Sequence, residues 1–422
     1  GGKNMKKLLK LVLAVTMLVT LFGCGGNEQK TDEPTETVEL TLWHTFTEHD
    51  LENLQAICNS FNESQDKVHV TELYQPLDGF EAKVYEAAAN GTGPDIVMLQ
   101  AAAASDYASA DLIIDFANYI DVEEYKTRVG EGFYAASTDF PNGGLYGLAV
   151  TATAPVFFYN KTMYDQFGLT APTTWDELYN NAKTIYEGTD GKVCGFCADD
   201  LSAVATAFME QNGIDFVSAD KKVDQWNDPK FVEFLKWWQE ACLAGYFQVA
   251  PTAGDYNSSD MGAAVLASYI GSCAGLNYVK LPEGNELACA PMPQTEGGKP
   301  YAISWSRFFI GFKKDQAGHD QSVADFIIYF TKNCTKYVID YSASAPYADI
   351  QATPEYQEYL AGNIALAAVA EQSSYSYGLP NATGVNNVQN ALRALMKQVG
   401  TGSDITEVLT QAIATSNAAL AE

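Results

Sequence analysis

The sequence predicts an α/β fold on three observations. Short runs of β-branched and apolar residues alternate with segments whose apolar residues recur at helical spacing. A strand, a helix and a second strand follow one another between Val38 and Tyr74, the span of a βαβ unit and hence of parallel pairing. The chain has 422 residues, 47% of them hydrophobic, enough for two or three domains with large cores.

The elements follow in order. Val38-Glu39-Leu40-Thr41-Leu42-Trp43 is a β-type run. Thr47 then reads as a helix N-cap with Asp50 three residues on, and Phe46 with Leu51 as a hydrophobic staple. Leu51, Leu54, Ile57, Cys58 and Phe61 recur at helical spacing, and Val68 to Tyr74 is the next strand. A helix from about Phe80 to Ala89 ends at Asn90-Gly91, which suits a left-handed C-terminal cap. Gly93-Pro94-Asp95 leads into the buried strand Ile96 to Leu99. The pattern restarts at Gly144, with strand-like runs Leu145 to Val150 and Pro155 to Tyr159. A helix from Lys161 to Phe167 stops at Gly168, and Thr174 with Glu177 forms a capping box that opens another. Asn227-Asp228-Pro229 opens an amphipathic helix through Phe231, Phe234, Leu235, Trp238 and Cys242. The segment Asn386 to Leu420 is helical and Ala-rich. No repeat at solenoid spacing appears.

Charge excludes some functions. The chain carries 53 acidic and 25 basic side chains, and its only arginines are Arg128, Arg307 and Arg393. Nucleic-acid capture needs clustered Lys and Arg, so a nucleic-acid partner is not expected.

The first residues read as an address. Met5-Lys6-Lys7-Leu8-Leu9-Lys10 is a basic start, and Leu11 to Phe22 is an apolar run too short to span ~30 Å of hydrocarbon. Leu21-Phe22-Gly23-Cys24 resembles the lipobox of bacterial lipoproteins, in which the cysteine is acylated and becomes the mature N-terminus. Phe22 is bulkier than the residue usual there. The expectation is a lipoprotein signal peptide at 1–23, a lipid anchor on Cys24 and an extracytoplasmic location. An uncleaved anchor helix is the alternative. Residues 24–37 are rich in Gly, Thr, Glu and Pro and read as a flexible tether. Loss of residues 1–23 removes four lysines and no acid, leaving 21 basic against 53 acidic side chains.

Seven further cysteines remain, an odd number. Cys194-Gly195-Phe196-Cys197 has redox spacing but lacks a strand-helix frame of the thioredoxin kind, and half a zinc site has no second half in view. Both read as strand residues, with a local disulfide as an option. His44 and His49 have no His/Cys/Asp cluster at metal spacing around them, so neither a metal nor any cofactor is expected.

Several segments together resemble one family. They include FNES with its following strand (Phe61–Tyr74), ANGTGPDIVM (Ala89–Met98) and YGLAVTATAPVFFYNKTMYDQFGLTAPTTWDEL (Tyr146–Leu178). DPKFVEFLKWWQEACLAGYF (Asp228–Phe247), MGAAVLASYIGSCAGL (Met261–Leu276), APMPQTEGG (Ala290–Gly298) and SVADFIIYFTKNC (Ser322–Cys334) follow in the same order. These are similar to the extracellular solute-binding proteins of the maltose-binding type, the ligand-capturing lipoproteins of ABC importers. The pattern departs at Ala345-Pro346-Tyr347 and at Ser304-Trp305-Ser306-Arg307.

The resemblance implies a two-lobed periplasmic-binding-protein type II-like α/β fold, with a hinge and a ligand cleft between the lobes. Lobe one would be 38–148 plus 300–342, and lobe two 149–299 plus 343–422. It also implies a non-enzymatic, monomeric receptor that hands a carbohydrate to membrane permease subunits. Ligands of α/β sheets sit beyond the C-terminal ends of strands, and sugars pair aromatic stacking with hydrogen bonds to a hydroxyl rim. Trp43 and His44 after the first strand and Asp95 before another are candidates on that ground, and the resemblance implies Tyr159, Tyr269, Ser272, Trp305, Arg307 and Tyr347 as further ligand-binding candidates. Against these stand readings of Tyr159 as core and of Asp95 as a local cap. The alternative ligand is glycerol 3-phosphate or a glycerophosphodiester, because Arg307 with Ser272, Ser304 and Ser306 could cradle a phosphate. A surface-anchored glycoside hydrolase is the second alternative; it needs two cleft carboxylates, and no hydrolase motif accompanies them here. A scaffold lipoprotein without a deep cleft is the third.

Overall fold

The computed structural model describes residues 37–76, 79–129, 131–138, 140 and 143–421. The leader, Cys24 and the tether up to Glu36 lie outside the described residues.

The first sheet is built from β1 (Val38–His44), β2 (Val68–Tyr74), β3 (Ile96–Gln100), β4 (Leu148–Thr153) and a strand from far along the chain, β10 (Trp305–Gly311). Its order is β2-β1-β3-β10-β4. β1 runs parallel to β2 and β3, as the βαβ spacing requires, and β10 lies antiparallel between β3 and β4. Helices 48–64, 319–333 and 335–340 pack on one face through Leu54, Phe61, Phe330 and Tyr337. Helices 80–89 and 101–109 pack on the other through Val84 and Tyr107.

The second sheet contains β5 (Pro155–Asn160), β6 (Cys197–Ala198), β7 (Ser268–Ser272) and β8 (Leu287–Ala290), in the order β6-β7-β5-β8. Helices 175–188, 201–211, 229–243, 385–400 and 405–420 share a core with Phe157 and Ile270. Helix 364–372 packs on the opposite side, against Phe158 and Tyr269. A two-stranded ribbon of β9 (Ala302–Ile303) with β11 (Ser376–Tyr377) lies beside the chain crossing.

Local signals explain the helix ends. The capping box of Thr174 and Glu177 is formed, and Asp228 accepts from the Lys230 N–H behind Pro229. Thr47 holds the N-cap position of helix 48–64, but its side chain makes no capping bond. The Ala-rich segment splits in two: Gly402 adopts φ +94°, and Asp404 caps the second helix.

The chain crosses between sheets at three places. Ala154 separates β4 from β5, and Ser304 separates β9 from β10. The third crossing corrects the expected boundary at 343. Ala343, Ala345, Tyr347, Ile350 and Tyr356 all sit in the core of the first lobe, Tyr359 and Leu360 pack against cores of both, and Ala365 is the next buried apolar residue, in a core of the second. An Ala-Pro-Tyr segment looks like a cleft loop in sequence, but its tyrosine carries enough apolar area to be drawn into the nearest core. All seven described cysteines are free, and Cys197 lies in β6.

Asp95 shows how the first lobe is tied together. Its Oδ2 accepts from the Thr41 N–H at 2.6 Å and from Thr41 Oγ1 at 2.8 Å, while Oδ1 meets Lys314 Nζ at 2.5 Å and His319 Nε2 at 2.8 Å. The other ring nitrogen of His319 meets Asp320 Oδ1 at 2.9 Å. Burial pushes the pKa of Asp95 up, but the bonds from His319, Lys314 and Thr41 outweigh it and hold the carboxyl well below its ordinary range. Burial lowers the pKa of His319, and the two aspartates more than reverse this. Asp95 therefore stabilises the fold above its unfolded pKa of ~3.9, and His319 does so below its unfolded ~6.5. The network is strongest between those limits. Asp95→Asn is expected to destabilise the protein by ~3 kcal/mol near pH 6, the order found when one partner of a buried pair is removed. In urea denaturation the deficit should shrink as pH falls below ~4, because the unfolded parent chain then binds a proton at Asp95 that the native carboxylate does not.

Candidate ligand-binding cleft

Beyond the C-terminal end of β3 the lobes enclose a cleft of about 550 Å³. Gln100, Thr138, Ser304, Trp305, Ser306 and Asn381 are among its lining residues. The wall is thus built from a strand end, helix 131–138, the second crossing and the segment after β11. Hydrogen bonds join the lobes on both flanks. Tyr278 Oη donates to Asp50 at 2.9 Å and Asn277 Nδ2 to the Asp340 carbonyl at 2.6 Å on one side. The Gly384 N–H donates to Asp106 at 3.0 Å and Asn381 Nδ2 to the Ala136 carbonyl at 3.0 Å on the other.

Trp305 opens β10 opposite Thr153 and is half-buried. Its indole nitrogen is buried with no acceptor among the described residues. Arg307, two residues along, sets its guanidinium carbon 5.6 Å from the centroid of the Tyr341 ring. Among the described residues no carboxylate lies within ion-pair distance of it, and the Tyr341 phenol nearby raises its pKa further. Ser272 ends β7 beside Pro155 at the first crossing, half-buried, and accepts from the Ala274 N–H at 3.3 Å. These three predicted residues are brought to the junction of the lobes.

The other six lie elsewhere, each for a physical reason. Asp95 is buried in the network described above. His44 is 2% exposed, bonded to Glu72 through Nε2 at 2.7 Å and to the Phe46 N–H through Nδ1 at 3.1 Å, so it closes a turn rather than facing a ligand. Trp43 is half-buried against the core of the first lobe with Lys83 Nζ 5.3 Å from its ring. Tyr347 is fully buried, donates to the Ala149 carbonyl and lies under the Arg128 guanidinium. Tyr269 is buried and stacks on Phe158 at 5.0 Å. Tyr159 packs on Phe157 and Tyr164, four residues along β5 from the crossing, or ~13 Å away. His49 lies outside the residues whose side chains are described.

Around Arg307 stand groups that sequence reasoning missed: Tyr341 against its guanidinium, and Tyr256, which feels the charges of both Arg307 and Asp199. Asp199 follows β6 directly and is exposed at that strand's C-terminal end, the position where α/β sheets present ligand contacts. That placement was the available signal, but a two-residue strand is too short to read from periodicity. Tyr256 is 51% exposed. Burial raises its pKa, with Asp199 adding to the effect and Arg307 opposing it, so it senses a charge from each lobe. Among the described residues no group of three or more His, Cys, Asp or Glu could hold a metal, and no helix is long and apolar enough to cross a membrane.

A two-lobed α/β architecture with the chain crossing at the base of a cleft defines a binding-protein fold. The chain matches the bacterial extracellular solute-binding protein family over residues 47–333 and belongs to it. It is 24% identical over 218 residues to the sn-glycerol-3-phosphate-binding periplasmic protein of Agrobacterium fabrum, a match covering 47% of this chain and 48% of that one. The chain thus matches about half the length of that relative. In fold it is similar to the cyclic alpha-maltosyl-1,6-maltose binding protein of Arthrobacter globiformis, with a TM-score of 0.71 and 22% identity, over 91% of this chain and 99% of that one. It is likewise similar to the GacH receptor of Streptomyces glaucescens, whose structures include a complex with acarbose, with a TM-score of 0.78 and 18% identity, over 92% and 99% of the chains.

Gly271 bears on Asp199. A Cβ there would come within 2.4 Å of Asp199 Oδ2 and 2.5 Å of Tyr269 Cε2. Tyr269 is packed and cannot yield, so Asp199 would have to swing away. Gly271→Ala is expected to cost ~1–3 kcal/mol, the range for overpacking, seen as a fall of several degrees in Tm.

Proposed function

We propose that this protein is the capture subunit of an ABC importer for a carbohydrate, held between its lobes and handed to membrane permease subunits. The observation that carries the ligand class is Trp305, a half-buried indole in the cleft wall whose N–H has no acceptor among the described residues. A sugar supplies an apolar ring face on which the exposed part of this indole can stack. Gln100, Ser304, Ser306 and Asn381 line the same wall and offer donors and acceptors for a hydroxyl rim. Ser272 and Arg307 would contribute from the first crossing and from β10. Ligand contacts to both lobes favour the closed state, and the crossings at Ala154 and Ser304 are the points where the chain can pivot.

A second reading has its own observation. Arg307 has no carboxylate partner among the described residues, and the relative from Agrobacterium fabrum is described as binding sn-glycerol 3-phosphate. A phosphate ester would satisfy such a guanidinium by paired hydrogen bonds.

Isothermal titration with a panel of mono- and oligosaccharides and glycerol phosphates separates the two. The expected outcome is micromolar or tighter binding of a sugar, and tight binding of the phosphate alone would reverse the ranking. Trp305→Ala should weaken sugar binding at least ~10-fold, about 1.4 kcal/mol, measured on the folded protein, since loss of its packing against the second lobe's core also lowers Tm. Anchoring through Cys24 completes the proposal, since acyl chains at ~0.8 kcal/mol per buried methylene would keep the receptor beside its permease. Cys24→Ala is expected to move the protein from the membrane to the soluble fraction, and retention there would argue for an uncleaved helix.

A further inference from the structure

We infer that Asp199 sets the charge selectivity of the cleft: it accepts hydrogen bonds from a neutral polyol and repels the anion that Arg307 would otherwise hold. The inference rests on the carbohydrate reading above and names the residue that enforces it.

The geometry is specific to one oxygen. Oδ1 of Asp199 is satisfied twice by Asn257, through the backbone N–H at 3.2 Å and Nδ2 at 2.8 Å. Oδ2 accepts from no donor among the described residues and lies over Gly271, where the missing Cβ leaves it room. Asp199 as a residue is solvent-exposed, although neighbouring protein atoms crowd its carboxyl group, so this oxygen can be reached by a ligand. Arg307 contributes the opposite charge from the other lobe, also without an ion-pair partner among the described residues, and the half-exposed Tyr256 senses both. An anion placed between them is attracted by one charge and repelled by the other. A neutral polyol meets no such conflict, because one hydroxyl can donate to Oδ2 while another accepts from the guanidinium.

The repulsion depends on pH. Burial raises the pKa of Asp199 to about 6, opposed by the Asn257 donors and helped by Asp200. The groups facing it are Cys197 on β6, Asp200, Tyr269 on β7 and Tyr256. Cys197 and Tyr269 have pKa values raised well above their ordinary ones, so neither ionises in the range used here. Asp200 is held by Arg393 at 3.1 Å. Asp199 is therefore charged at pH 8 and mostly neutral at pH 5, and the barrier to an anion falls as pH drops.

The test is calorimetric titration of the full protein with a glycerophosphodiester, whose single charge is constant between pH 5 and 8. The parent protein is expected to bind it at least ~10-fold more tightly at pH 5 than at pH 8. Asp199→Asn should bind it with the tighter affinity at both pH values. A flat profile in the parent, tight binding by the parent at pH 8, or no gain in the variant at pH 8 would overturn the inference. Tm values are taken alongside, and if Asp199→Asn does not fold, the parent's pH profile decides alone. A parallel titration with neutral oligosaccharides judges the carbohydrate reading separately: absence of sugar binding sinks that reading, while the diester results still decide the role of Asp199.

Discussion

The pairing of β10 between β3 and β4 is the constraint on which the rest depends. This strand enters the first sheet only after the whole second sheet has been laid down in the chain. Without it β4 would have no neighbour in the first sheet, and the crossing at Ala154 would lead away from an edge with unpaired backbone groups. The same strand carries Trp305 and Arg307 to the junction of the lobes. Register does this. Trp305 pairs with Thr153 at the last residue of β4, so the residues at the start of β10 cannot be anywhere but beside the crossing.

Two aspartates illustrate how environment divides labour among identical side chains. Asp95 is almost fully buried, and every contact it makes draws β1, β3 and the start of helix 319–333 together. Its charge is compensated by Lys314 and His319, so it serves the fold. Among the described residues Asp199 has no cation near enough to pair with it, and one of its oxygens accepts from no donor. Burial without compensation raises its pKa, and such a group is found where a ligand is expected to supply the missing contact. The same logic separates Arg128, which has Asp349 as its partner, from Arg307, which among the described residues faces the Tyr341 ring and no carboxylate within ion-pair distance.

Much of the fold was legible in the sequence because it rests on local rules. The βαβ unit, the helix Phe80–Ala89, the capping box at Thr174 and the start of the helix at Pro229 all rest on spacing and caps within a few residues. The site was far less legible. Tyr347, Tyr269 and Asp95 carry the right chemistry for a cleft, but a tyrosine is as well suited to a core, and an aspartate to a buried ion pair, as to a ligand. Asp199 and Tyr256 stand in short or irregular segments, where no periodicity marks them.

The sequence by itself determined the α/β class, the positions of most helices and strands, the strongly acidic charge and the membership of the binding-protein family. Those properties depend on composition and on neighbours within a turn or a strand. Only the tertiary structure decided which polar and aromatic residues face the cleft, where the chain returns to the second lobe, and which charges remain without a partner. These depend on contacts between residues far apart in the chain, such as Arg307 near Tyr256 and Asp95 bonded to His319 across 224 positions. Whether a buried charge is paired or left open is a property of the assembled lobes, and no local signal in the chain encodes it.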